Sequence, residues 1–313
     1  MNAPSRRDFT KLAVAALPLT AAAARMIDSR IDGVQLGVQS YSFRDLPIEE
    51  AIRAMAADGL GDCELFSPHI EAGGIEAIGP LLKNHQTMTP EQRKAAFDAY
   101  NEKVRKWRLT VPIDYFAGIY RKFHDAGIQL YAYNLTFNDT FTDEEIERGF
   151  LAAKALGVRI ITSSTTLPVA QRVAPFAEKY KLIVAMHGHS DVEDPTQFST
   201  PESFAKALAM SRFYRVNLDI GHFTAAGFDP VDYIEKNHDK IVLLHLKDRK
   251  KNDGPNVPWG EGDTPIKQVL QLLKQNKYPI PAFIEYEYEG RGTSQQEVAK
   301  CYEYCRQALA QGA

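Results

Sequence analysis

Between Gly33 and the C-terminus, short β-rich runs and helical patterns alternate eight times, which leaves few architectures open. The runs are Val34–Ser40, Asp62–Phe66, Gln129–Asn134, Arg159–Ser163, Leu182–His187, Arg215–Asp219, Ile241–Leu246 and Ala282–Tyr286. Helical patterns cover Ile48–Asp58, Ile113–Ala126, Asp143–Leu156, Pro168–Tyr180, Pro201–Met210, Pro230–Lys236, Pro265–Gln275 and Ser294–Ala310. Thr142-Asp143-Glu144-Glu145 is a capping box, and Thr200-Pro201 and Asp229-Pro230 pair an N-cap with proline at the first helical position. Gly59, Gly127 and Gly157 stand just past predicted helices. Strands that alternate with helices build right-handed βαβ units on a parallel sheet. Eight units predict an α/β fold of one domain, a closed (β/α)8 TIM barrel over residues 26–313. A doubly wound sheet fits less well, because no G-x-G-x-x-G follows the first strand. A helical insertion, about Ser67 to Pro112, follows the second strand. Its charged stretch Pro90–Arg108 is expected over the barrel mouth, as a partner surface, or as a solvated helix.

Residues 1–25 read as an export signal. Arg6-Arg7-Asp8-Phe9-Thr10-Lys11 is followed by an apolar, Ala-rich run from Leu12 to Ala24. That run is far shorter than the roughly 20 residues of a spanning helix. The arginine pair with its Phe and Lys resembles a twin-arginine signal, so the expected location is periplasmic or secreted. No stable membrane anchoring is expected once the signal is cleaved. Formal net charge is −3, which argues against a nucleic-acid partner. Three cysteines exclude a disulfide-dense scaffold.

Active sites of parallel barrels lie at the C-terminal strand ends. There the chain places Met186-His187-Gly188-His189, Leu218-Asp219-Ile220-Gly221-His222, Leu244-His245-Leu246-Lys247-Asp248-Arg249 and Ile284-Glu285-Tyr286-Glu287. Strand alternation puts His187 with His189, His245 with Lys247, and Glu285 with Glu287. Two imidazoles and two carboxylates from four neighbouring strands can close on one divalent cation, of Mn, Co, Zn or Fe type. Tyr41, Asn134 and Trp259 offer aromatic and polar contacts for a ligand, with Phe43, Phe66, Tyr133 and Phe137 as further aromatics at strand ends.

These segments, with Val257-Pro258-Trp259-Gly260-Glu261-Gly262-Asp263 and Phe283-Ile284-Glu285-Tyr286, resemble the xylose isomerase-like TIM-barrel superfamily. Within it, the chain is most similar to sugar phosphate isomerases/epimerases, a group that includes ketose 3-epimerases and inosose dehydratases. The resemblance implies one divalent metal held by His187, Asp219, His245 and Glu285. His187 stands where that family has Glu, and His189 is an alternative ligand on the same side. A neutral His that gives its lone pair to a metal is a poor base. The resemblance further implies Glu285, Glu193 and His222 as catalytic groups. Lys247 or Arg249 then offers a cation to an oxyanion or phosphate, and Glu64 is one more carboxylate.

The chemistry so implied is proton movement beside a carbonyl through an enediolate. Reprotonation gives isomerisation or epimerisation of an unphosphorylated sugar or keto-sugar; loss of a β-substituent gives a lyase or dehydratase acting on 3-keto-glycosides or inososes. A non-catalytic sugar-binding barrel ranks lower. The expected partner is a small carbohydrate, with a homo-oligomer left open.

Overall fold

The computed structural model describes residues 25–84 and 87–310. The export signal expected at residues 1–25 therefore lies, but for Arg25, outside the described residues. Eight parallel strands form the barrel: β2 (Val34–Gln39), β3 (Asp62–Phe66), β4 (Gln129–Asn134), β5 (Ile160–Ser164), β6 (Ile183–His187), β7 (Tyr214–Asp219), β8 (Ile241–Leu246) and β9 (Ala282–Ile284). Each pairs with its neighbour in sequence, and β2 pairs with β9 to close the ring. Closure explains why the strands read as near-continuous apolar runs: helices cover them outside and side chains fill them inside.

The outer helices follow the predicted pattern closely: α1 (Ile48–Ala57), α4 (Asp114–Asp125), α5 (Asp143–Ala155), α6 (Leu167–Tyr180), α7 (Pro201–Leu208), α9 (Pro230–Asn237), α10 (Ile266–Asn276) and α11 (Ser294–Ala310). Thr142 forms its capping box with Glu145, and Thr200 and Asp229 cap α7 and α9. Gly59, Gly127 and Gly157 all take positive φ, the left-handed conformation that ends a helix at least cost to glycine.

Two features escaped the strand–helix pattern. A two-residue strand, β1 (Arg30–Ile31), pairs antiparallel with β2 through an Asp32-Gly33 turn in which both residues have positive φ. Asp-Gly is the expected signature of such a turn, so the hairpin had a signal in the sequence. The six-residue α8 (Ile220–Ala225) begins where β7 ends, with Asp219 as its N-cap.

The insertion holds α2 (Gly74–Asn84) and α3 (Pro90–Thr110). The two divide the alternatives raised for it. Ile75, Gly79 and Pro80 of α2 wall the barrel mouth. The charged α3 is tied to the barrel's flank instead. Arg108 forms a bidentate pair with the buried Glu71 at 2.7 and 2.9 Å, and Arg105 donates to the buried Glu145 at 2.9 Å. Cys63, Cys301 and Cys305 are free and buried.

Candidate active site

The parallel register sets the site. His187 pairs with Asn217, Asp219 with His245, and His245 with Phe283, so the ends of β6 to β9 stand side by side. Ligand atoms of His187, Asp219, His245 and Glu285 all lie within 4.8 Å of one another, and all four residues are buried. A second group, His187, His189 and His222, meets the same distance limit among the described residues.

The donor set fits a divalent ion on the chain's own terms. His187 Nδ1 is buried with no hydrogen-bond partner. Asp219 divides its carboxylate: Oδ1 accepts from the His222 backbone N–H at 2.8 Å, capping α8, while Oδ2 makes no hydrogen bond of good geometry. A buried polar atom without a partner is costly, which marks His187 Nδ1 as a place for a ligand, and Asp219 Oδ2 has the Lys247 ammonium as its one charged neighbour at 3.1 Å. His245 directs Nδ1 to Glu285 Oε2 at 3.1 Å and Nε2 to Glu64 in a short contact. A carboxylate behind an imidazole is the usual means of orienting a metal-binding histidine. Glu64 is itself held by Thr162 and by Asn134 Nδ2 at 3.3 Å.

An ammonium group balances the carboxylates. Lys247 Nζ lies 3.1 Å from Asp219 Oδ2 and 2.9 Å from Glu285 Oε2, and it donates to Glu287 in a short bond. Burial opposes its charge, but Asp219, Glu285 and Glu287 outweigh burial and hold its pKa well above the usual lysine value. His245 behaves alike: burial lowers its pKa, and Glu64 and Glu285 raise it well above the ordinary imidazole value. Burial pushes Glu285 up, but Lys247 and His245 bring its carboxyl well below its usual range. Asp219 goes the other way, to about 6, because burial outweighs the attraction of Lys247. His187, His189 and His222 are lowered, chiefly by burial, and stay neutral.

Above this layer opens a cavity of about 970 Å3, lined in part by Tyr41, His189, His222, Arg249 and Glu287. Tyr41 is half-buried against Phe66, ring centroids 5.0 Å apart, and burial with the nearby Glu287 pushes its phenol to about 12.

Other expected site residues stand elsewhere. Glu64 and Asn134 lie beneath the cavity as supports of His245. Glu193 is exposed, and its backbone N–H donates to Asp191 Oδ1 at 3.0 Å. It belongs to the turn after β6 and does not line the mouth. Trp259 packs edge-on against Tyr304 and lines a separate cavity of about 510 Å3. This loop is pinned by Asp248, whose carboxylate accepts backbone N–H groups of Gly260, Gly262 and Thr264. Arg249 directs every guanidinium N–H at protein. Gly254 O accepts two, at 3.0 and 2.7 Å; Ser190 Oγ, His222 Nδ1 and Asp253 Oδ1 take the rest at 2.8, 2.6 and 3.2 Å. Of the two cations expected to face an oxyanion or phosphate, Arg249 lines the cavity but spends its N–H groups on the protein. Phe43, Tyr133 and Phe137 belong to the buried core. Arg44 and the α2 residues also line the cavity and carry no local sequence signal of facing the mouth.

A closed parallel barrel with convergent ligand-type side chains at its C-terminal strand ends defines a TIM-barrel protein of enzyme architecture. Residues 70–305 match the xylose isomerase-like TIM barrel family, and the chain belongs to it. Among curated proteins, an L-ribulose-5-phosphate 3-epimerase of Salmonella paratyphi A is 30% identical over 113 residues, 34% of this chain and 40% of that epimerase. The chain thus matches less than half the length of this relative. A sugar phosphate isomerase/epimerase from Parabacteroides distasonis superposes with a TM-score of 0.60 at 16% identity, covering 92% of this chain and 99% of that one. A probable 3-DHS dehydratase from Bacillus anthracis superposes at 0.58 with 14% identity, covering 90% and 100%. Both likenesses share the fold.

Proposed function

We propose that the chain is an exported, divalent-metal-dependent isomerase or epimerase of an unphosphorylated sugar or keto-sugar. The observation that carries this reading is the buried N2O2 group of His187, Asp219, His245 and Glu285 beneath an open polar cavity. When bound, the metal supplies Lewis-acid polarisation of a substrate carbonyl and offsets the negative charge that develops on it. Glu285, kept charged by Lys247 and His245, takes the proton from the carbon beside the carbonyl. Glu287 lines the cavity, accepts from Lys247 and is the second proton-transfer group. Tyr41 and His189 orient the sugar, and His222 donates to one of its oxygens. Arg249 has no N–H left for a phosphate, which favours an unphosphorylated substrate, and the Arg6-Arg7 signal favours a compartment outside the cytoplasm. Among the described residues no helix is long and apolar enough to cross a membrane.

A lyase or dehydratase reading shares the first half of this chemistry. Its support is His187, neutral through burial and standing where a second carboxylate base would serve an epimerase. The likeness in fold to a dehydratase is compatible with it.

Elemental analysis of the gently purified protein should find about one divalent metal per chain; none would sink the enzyme reading. Ketoses incubated with enzyme in D2O should then gain deuterium at the α-carbon. Cleavage of a 3-keto-glycoside without such exchange would replace epimerisation by elimination.

A further inference from the structure

Two groups of metal-ligating side chains share His187, and the hydrogen bonds at His222 separate them. Arg249 Nη1 lies 2.6 Å from His222 Nδ1. Lys247 Nζ lies 3.2 Å from His222 Nε2. Guanidinium and ammonium groups donate and cannot accept. A neutral imidazole has one lone pair and one N–H, and an imidazolium has no lone pair at all. His222 can therefore accept from only one of these neighbours. The shorter contact is to the guanidinium, which keeps its protons in any folded protein. Arg249 is also immobile: it is buried, and its five N–H groups are all engaged.

We propose that Arg249 is a positioning residue that fixes His222 as the neutral Nε2–H tautomer. Two consequences follow. With Nδ1 given to Arg249 and Nε2 protonated, His222 has no lone pair for a cation. The three-histidine group is then not a metal site, and the ion belongs to His187, Asp219, His245 and Glu285. The Nε2–H also faces the Lys247 ammonium with no acceptor between them. The carboxylate oxygen on that side, Asp219 Oδ2, is 3.9 Å from Nε2, beyond hydrogen-bond range. The three Lys247 protons are taken by Asp219, Glu285 and Glu287, so the His222 Nε2–H is the donor left for an acceptor oxygen of the substrate. This last step rests on the reading that the mouth binds an oxygen-rich small molecule; the tautomer does not.

The test is a long-range 1H–15N correlation spectrum of the full-length, metal-stripped protein, labelled with 15N-histidine and free of substrate. His222→Gln assigns the His222 signals. The expected pattern is a neutral ring with its proton on Nε2. Arg249→Met should convert it to a mixture of tautomers, and Arg249→Lys should restore Nε2–H, because an ammonium donates to Nδ1 again. A wild-type His222 protonated on Nδ1, or on both nitrogens at neutral pH, overturns the proposal even if the variants fail to fold. So does an Arg249→Met spectrum identical to wild type. Zinc titrated into wild type should stop at about one equivalent, leaving the His222 signals without the shift of a coordinated nitrogen; coordination at His222 overturns the proposal. A protein that shows the Nε2–H pattern but takes up no metal at all refutes the metal-dependent function and leaves the tautomer standing.

Discussion

Asp62 and Glu285, at opposite ends of the barrel, are carboxylates buried in opposite ways. At the N-terminal end Asp62 opens β3 beside a cavity of about 220 Å3 lined by Arg30, Gln35 and Gln129. Its Oδ2 accepts from Gln35 Nε2 at 2.6 Å. Burial raises its pKa to about 6, and the charges of Arg30 and Asp28 pull against each other. At the C-terminal end Glu285 is buried as well, yet its carboxyl is held far below its usual range by Lys247 and His245. Burial is common to both; a direct ion pair belongs to Glu285, with Lys247 and His245, while Asp62 has Arg30 only at longer range. A carboxylate held ionised by Lys247 and His245 at a strand's C-terminal end keeps the negative charge that a ligand or a base needs. One left to a neutral amide at the other end contributes little but a cost in stability. The contrast follows the general division of TIM barrels into a functional and a structural face.

The largest expected effect breaks the mouth. Glu285→Gln keeps the shape, removes one ligand and one base, and should lower turnover on the order of 1000-fold, as read by initial rates. Bound metal should fall with it in elemental analysis. Near-wild-type rates would place the base elsewhere.

Next comes the other end. Because the folded pKa of Asp62 lies above the ordinary carboxylate value of about 3.9, the folded protein holds a proton that the unfolded chain has lost between about pH 4 and pH 6. Stability should therefore fall as pH rises through that window, by about 3 kcal/mol at most from this residue. Asp62→Asn keeps an acceptor for Gln35 and should flatten that part of the curve in urea unfolding, leaving the variant more stable than wild type at pH 7. A variant less stable at pH 7 would show that the charge of Asp62 is compensated after all.

A smaller effect sharpens the support layer. Glu64→Gln should weaken metal binding by about 10- to 100-fold by calorimetry, while the protein still folds. Unchanged affinity would mean that Glu64 does not orient His245. Metal binding itself should tighten as pH rises, because the raised pKa of His245 means that its proton must leave first. Calorimetry in buffers of different ionisation enthalpy would count the protons released; none released would place His245 outside the ligand set.

Much of this was legible in local patterns. Capping boxes, terminal glycines and the alternation of strand and helix are signals written within a few residues, so the helices of the barrel fall within about two residues of where they were expected. His187, Asp219, His245 and Glu285 could be grouped because a parallel barrel brings equivalent strand ends together. The residues that went astray share a cause. Trp259 and Glu193 sit in loops, and a loop's direction depends on what pins it: Asp248 for one, the Asp191 turn for the other. Asn134 ends its strand as expected, whereas Glu64, expected at a strand end, is the middle residue of β3, and depth within the barrel puts both below the cavity.

The sequence by itself determined the barrel and the kinds of side chain at its mouth, because periodicity and chain order are local properties that closure preserves. Only the tertiary structure decided which donors are already spent. Arg249 reads in sequence as a free cation two residues beyond Lys247; in space its five N–H groups meet Gly254, Ser190, Asp253 and His222. Hydrogen-bond capacity is finite and is filled by neighbours distant along the chain, so a residue's chemistry is settled by partners its own sequence context does not name.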